Sequence, residues 1–103
     1  MAGVEISTAA ETDLIDIWLH IAADDPSAAD RQLDHFDRIF ALLVAQPFMG
    51  TDRSVLLHPG VRSFVVDHYL VFYQVGDRVR ILRVLHGARD WLTVLDDPDV
   101  GDR

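Results

Sequence analysis

Apolar residues recur every three to four positions through the first half of the chain and closer to every second position through much of the rest. Ala10, Leu14, Ile17, Trp18 and Ile21 fall at helical spacing with Glu11, Asp13 and Asp16 between them, which predicts a helix over 9–23. Thr8-Ala9-Ala10-Glu11 opens it with a hydroxyl followed three positions later by Glu, the pattern of a capping box. Asp24-Asp25-Pro26 breaks this helix and starts another, with Asp25 as N-cap and Pro26 at the first helical position. Ala29, Leu33, Phe36, Phe40 and Leu43 form its apolar stripe, and Pro47 with Gly50 ends it near Gln46. Two helices so closely joined predict an antiparallel hairpin.

Beyond Gly50 the period changes. Val4 to Ser7 and Ser54 to Leu57 are short strand candidates, and Phe64-Val65-Val66 has strand character within Arg62 to His68. Tyr69 to Val75 reads clearly as a strand, Gly76-Asp77 as a two-residue turn, and Arg78 to Leu85 as the returning strand. The expected fold is α+β in the order β-α-α-β-β-β: a helical hairpin on one face of a mainly antiparallel sheet. Because the helices precede the main strands, the other sheet face is expected to stay at least partly open. Residues 1–92 form one expected domain, and the acidic tail 93–103 is expected to fray.

Half of the 103 residues are hydrophobic and a quarter are charged, an ordinary globular balance. No apolar run reaches the ~20 residues of a membrane helix. With no secretion pattern at the start and no cysteine for disulfides, a cytoplasmic soluble domain is the expectation. The net charge is −8, yet it is unevenly spread. Residues 47–90 hold six Arg against four acids, while the rest of the chain is acidic. Every cation is Arg, which suits bidentate contacts to carboxylate or phosphate; a codon bias toward Arg is the plainer explanation. Overall acidity disfavours direct nucleic-acid binding, since a phosphate polymer repels such a molecule at long range.

The last strand carries the candidate chemistry. Arg83, His86, Arg89 and Asp90 lie within eight residues at its end, and guanidiniums in an apolar strand need a partner or an open face. One reading is a working surface; the other is a structural cluster in which Asp90 pairs an Arg and His86 caps a turn. Arg83 has the further option of an internal pairing with Asp90 or Asp67. Strict alternation puts Arg78, Arg80, Leu82, Val84 and His86 on one face and Val79, Ile81, Arg83 and Leu85 on the other, unless a bulge intervenes. The five His lack metal-ligand spacing, no Ser-His-Asp arrangement or Gly-rich phosphate loop stands out, and neither a metal nor a cofactor is expected. Trp18 is either core or a groove residue receiving a partner helix.

Ala10 to Trp18, Pro47 with Gly50, Gly60-Val61-Arg62-Ser63-Phe64, Tyr69 to Tyr73 and Arg83 to Asp90 together resemble the ParE toxins of the ParE/RelE superfamily, over residues 4–92. These are toxins of type II toxin–antitoxin (plasmid stabilisation) systems. The resemblance implies a growth inhibitor neutralised by a cognate antitoxin, with DNA gyrase as the ParE-type target and no catalytic residues. Arg62, Tyr73, Arg83, His86, Arg89 and Asp90 become expected target or antitoxin contacts, and Trp18, Phe36 and Phe40 an expected antitoxin groove. The runner-up is a RelE-like ribosome-dependent mRNA endonuclease, with Arg62 on phosphate and His86 as acid or base. A degenerate, non-toxic interaction module is the third reading. The absence of Lys, the absence of any Tyr after Tyr73 and the net charge favour the first.

Overall fold

A computed structural model describes residues 3–87. In order come β1 (Val4–Ile6), α1 (Thr8–Ala22), α2 (Pro26–Ala45), β2 (Thr51–Asp52), β3 (Val61–Val66), β4 (Tyr69–Val75) and β5 (Val79–His86). They build the expected helical hairpin and a five-stranded sheet ordered β1-β5-β4-β3-β2, antiparallel except where β1 runs parallel to β5.

The helix starts follow from local hydrogen bonding. Ser7, one residue before the expected cap, is the N-cap of α1: its hydroxyl accepts from the Ala10 N–H at 3.0 Å, so Thr8 already lies in the helix. Asp25 caps α2 by accepting from the Ala28 N–H, with Pro26 directly after it. The α2 stripe is as the periodicity predicts. Ala29, Phe36, Phe40 and Leu43 are buried, and the last three join Val71, Tyr73, Val79, Ile81 and Val84 of the sheet in the main core.

Three strand expectations are corrected. Ser54 to Leu57 is not a strand: the Asp52 carboxylate accepts from the Ser54 N–H and hydroxyl, and the Arg53 carbonyl accepts from the N–H groups of Leu56 and Leu57. These bonds roll the chain into turns after two residues of β2. The β4–β5 connection has three residues, Gly76, Asp77 and Arg78, because Val75 pairs with Val79. Finally, β5 does not alternate cleanly. Phe72 faces Arg83 and Tyr73 faces Ile81, so Leu82 is an extra residue, a β-bulge. Val79, Ile81 and Val84 therefore share the helix-side core, while Leu82 and Leu85 join Val61 and Phe72 in a second cluster.

That second cluster changes the picture of an uncovered face. Its four residues are fully buried, with Leu57, Leu70 and Ala9 packed against them. The face is closed at its middle and open toward Val65, which is 66% exposed. Arg62, Arg80 and Arg83 go to three different partners, the 48–50 loop, Glu5 and Asp13.

Candidate functional site

The end of β5 is shaped by what happens where β1 stops. β1 pairs with β5 only over Val79 to Ile81. Past that point the Ser7 N–H donates to the Ile81 carbonyl and the Ser7 hydroxyl to the Leu82 carbonyl at 2.8 Å. Six residues later Asp13 takes over the edge. Its carboxylate accepts from Arg83 Nε at 2.7 Å, Arg83 Nη2 at 2.8 Å and the Val84 backbone N–H at 2.9 Å. This is a two-pronged guanidinium–carboxylate bridge with side chains 14% and 10% exposed, joined to a strand edge that would otherwise lack a partner. Arg83 is thus held by Asp13, a partner beyond the Asp67 and Asp90 that the sequence suggested; Asp90 lies outside the described residues.

Beside this bridge, α1 and the sheet leave a cleft of about 270 Å³. Asp16 and His20 line it from α1, Tyr69 from β4 and His86 from β5, with Ile17 and Val84 below. The Tyr69 ring meets Phe36 edge-on at 5.4 Å and His86 edge-on at 5.8 Å, so the exposed imidazole rests on a ring anchored in the core. Burial pushes the Tyr69 hydroxyl above the ordinary tyrosine value and the Asp67 charge adds to this, keeping the phenol a protonated donor at neutral pH. The cleft therefore offers two imidazoles, a carboxylate and a phenol. Among the described residues no group of three His, Cys, Asp or Glu is placed to hold a metal.

The other expected contact residues are dispersed. Tyr73 is not a surface residue: it is 0% exposed, donates to the Pro47 carbonyl at 2.8 Å and accepts from the Gly50 N–H at 2.9 Å. Its burial pushes the hydroxyl pKa up. Phe36 and Phe40 are buried in the core rather than lining a groove, because their positions on α2 face the sheet. Trp18 is half-buried on the hairpin, and its indole donates to Asp30 Oδ1 at 2.9 Å, tying α1 to α2. Arg62 donates to the Phe48 and Gly50 carbonyls and lies 5.1 Å over the Phe48 ring. Arg89 and Asp90 lie outside the described residues.

One link escaped the sequence reading. Asp67, at the β3–β4 turn with φ 55°, accepts from Gln32 at 3.1 Å and contacts His35 Nδ1 at 2.8 Å, fastening the turn to α2. Only an i+3 Gln–His pair on the polar side of α2 hinted at it. The Gln32 hydrogen bond first, then that to His35, lowers the Asp67 pKa below 3.8. A depressed carboxyl contributes stability above its unfolded value, lost as pH falls through its folded one. Wild-type stability should thus fall more steeply than that of Asp67→Asn below about pH 4, a small difference because the pair is exposed; parallel acid titrations followed by circular dichroism check this.

Comparison with known proteins places this geometry. Residues 4–91 match the family model described as the ParE toxin of the type II toxin–antitoxin system parDE. The chain belongs to the ParE toxin family. Toxin ParE1 of Caulobacter vibrioides is 32% identical over 89 residues, 84% of this chain and 90% of that protein. Toxin ParE3 of the same organism is 43% identical over 60 residues, 57% of this chain and 59% of the relative, so that match spans under two thirds of it. Among solved structures, a chain of the chromosomal ParDE TA system from P. aeruginosa superposes with a TM-score of 0.69 at 22% identity, covering 84% of this chain and 96% of that one. This likeness supports the ParE fold of the helical hairpin and sheet. Among the described residues no helix is long and apolar enough to cross a membrane.

Proposed function

We propose that this ParE-family chain is a cytoplasmic growth inhibitor that acts by binding DNA gyrase, without catalysing a reaction, and that a cognate antitoxin neutralises it. The observation that carries the non-catalytic reading is the engagement of Arg83 and Arg62, two of the cations expected at the site. Arg83 is bound in two-pronged fashion by Asp13, Arg62 is spent on two loop carbonyls, and Tyr73 is buried. A ribonuclease needs free cations on the scissile phosphate together with a positioned acid and base. The net charge of −8 points the same way.

The antitoxin reading draws on the neighbouring ParDE structure and on two apolar residues left in solvent on α1, Ile15 at 58% and Leu19 at 57% exposure. They lie one helical turn apart and form the contact surface in place of the buried Phe36 and Phe40. Replacing both by Glu should weaken antitoxin capture by at least about tenfold without lowering the melting temperature, as measured by calorimetric titration. Arg89 and Asp90 remain proposed contacts of the same complex.

The endonuclease reading keeps one supporting observation, the exposed His86 beside His20 and Tyr69 in the α1–β5 cleft. Induction without antitoxin separates the readings. The gyrase reading expects growth arrest with an SOS response, lost DNA supercoiling by purified gyrase and undisturbed translation in vitro. Under it, His86→Ala weakens inhibition by about tenfold at unchanged stability. Cut message in a purified translation system, abolished by His86→Ala, overturns it in favour of the endonuclease. Normal growth on induction overturns both in favour of a non-toxic module.

A further inference from the structure

At the opposite end of β5 from His86, the mouth of the β4–β5 hairpin forms a cleft of about 390 Å³. Arg78 and Arg80 line it together with Glu5, Gln74 and the Gly76-Asp77 turn. Arg80 is the unusual member. Its side chain is only 15% exposed, and its Nε and Nη1 are hidden from solvent without a hydrogen bond. Glu5 Oε1 lies 3.2 Å from Nε, close enough for charge attraction but outside hydrogen-bond alignment. Buried guanidinium donors left unpaired are costly, and folded proteins rarely keep them without a reason. Of the other lining side chains, Gln74 is already engaged, donating to the Pro59 carbonyl, and Asp77 adds an exposed carboxylate at the turn.

We infer that the Arg78–Arg80 cleft is a receptor for an Asp or Glu carboxylate presented by a protein partner, with Glu5 as its internal placeholder. Glu5 is half-exposed and free to swing outward, which uncovers the Nε edge of Arg80. The incoming carboxylate then takes that edge in the two-pronged geometry Glu5 fails to reach, and the exposed Arg78 adds a second cation. Charge decides the source: a short acidic segment brings one or two anions to a local pair of cations, whereas a phosphate polymer meets a molecule of net charge −8. The inference does not depend on gyrase being the target.

The test is fluorescence anisotropy on the full chain with a labelled extended peptide carrying Glu at alternating positions, against the same peptide with Gln. The Glu peptide should bind at least about tenfold tighter, and Arg80→Gln should remove that margin. Glu5→Gln should tighten binding by about threefold and Arg78→Gln weaken it by about threefold. Should Arg80→Gln fail to fold, as a melting curve would reveal, the Glu5 and Arg78 variants decide, and unchanged affinity in both overturns the inference. Equal binding of the Gln peptide, equal competition by inorganic phosphate, or tighter binding of a single-stranded RNA oligonucleotide also overturns it. Growth arrest on induction is scored separately, so failure here and failure of the gyrase reading remain distinct.

Discussion

Asp13→Ala should lower the unfolding free energy by about 3–5 kcal/mol, because it takes the two-pronged carboxylate away from the largely buried Arg83 guanidinium. In a domain of this size that corresponds to a melting temperature lower by on the order of 20 °C. The cost has two parts. One is the carboxylate lost to Arg83; the other is the Val84 N–H, which loses its acceptor on the β5 edge. A double variant separates them. Asp13→Leu with Arg83→Met removes both charges and replaces them with apolar volume, so most of the stability should return. A deficit of roughly 1 kcal/mol should persist from the orphaned N–H. If the double variant is as unstable as Asp13→Ala, the bridge is not what holds α1 to β5. Chemical denaturation of the wild type, Asp13→Ala and the double variant measures these differences.

Gly50→Ala is the second large expected loss, about 2–5 kcal/mol from overpacking plus broken hydrogen bonds. A Cβ at Gly50 would sit 2.5 Å from the Tyr73 hydroxyl and 2.7 Å from the Ser63 carbonyl. Neither neighbour can yield cheaply. The Ser63 carbonyl belongs to β3, and the Tyr73 hydroxyl is fixed between the Pro47 carbonyl and the Gly50 N–H. Shifting the loop also pulls the Gly50 carbonyl from Arg62, which donates to it at 2.7 Å. Tyr73→Phe is the milder companion: it removes the hydroxyl without crowding and should cost about 1–3 kcal/mol. The folded state also holds the Tyr73 proton more tightly than the unfolded chain. Its contribution is therefore complete below the unfolded value of about 10 and lost as pH rises through the folded value. Tyr73→Phe should narrow the gap to wild type in strongly alkaline solution, which melting curves across that range would measure.

What the residues disclosed and what they withheld follow a physical line. The α2 stripe, the Asp25-Pro26 start and the limits of β4 are local, so each was legible from spacing and cap chemistry. The bulge at Leu82 was not, because an apolar run of Ile, Leu and Val carries no mark of where one residue is skipped. Strict alternation assigned faces correctly only up to that point. Asp13, which accepts from Arg83, lies 70 positions away on a helix whose acids fall between its apolar positions. Tyr73, Phe36 and Phe40 were expected at contacts because aromatic residues serve surfaces and cores equally well, and only tertiary packing decides between them. The ends of the candidate site at Arg89 and Asp90 stay outside what the structure describes.

Among the described residues, the first strand adds itself alongside the last. Ser7 meets Leu82 across 75 positions, and Asp13 meets Arg83 and Val84 across 70 and 71. Pairing so remote in the chain makes folding slow, and it withholds closure of the sheet until β5 has been made. A nascent molecule therefore carries α1 without the strand it packs on until β5 emerges. Whatever protein is made alongside it has that interval in which to meet an unfinished form.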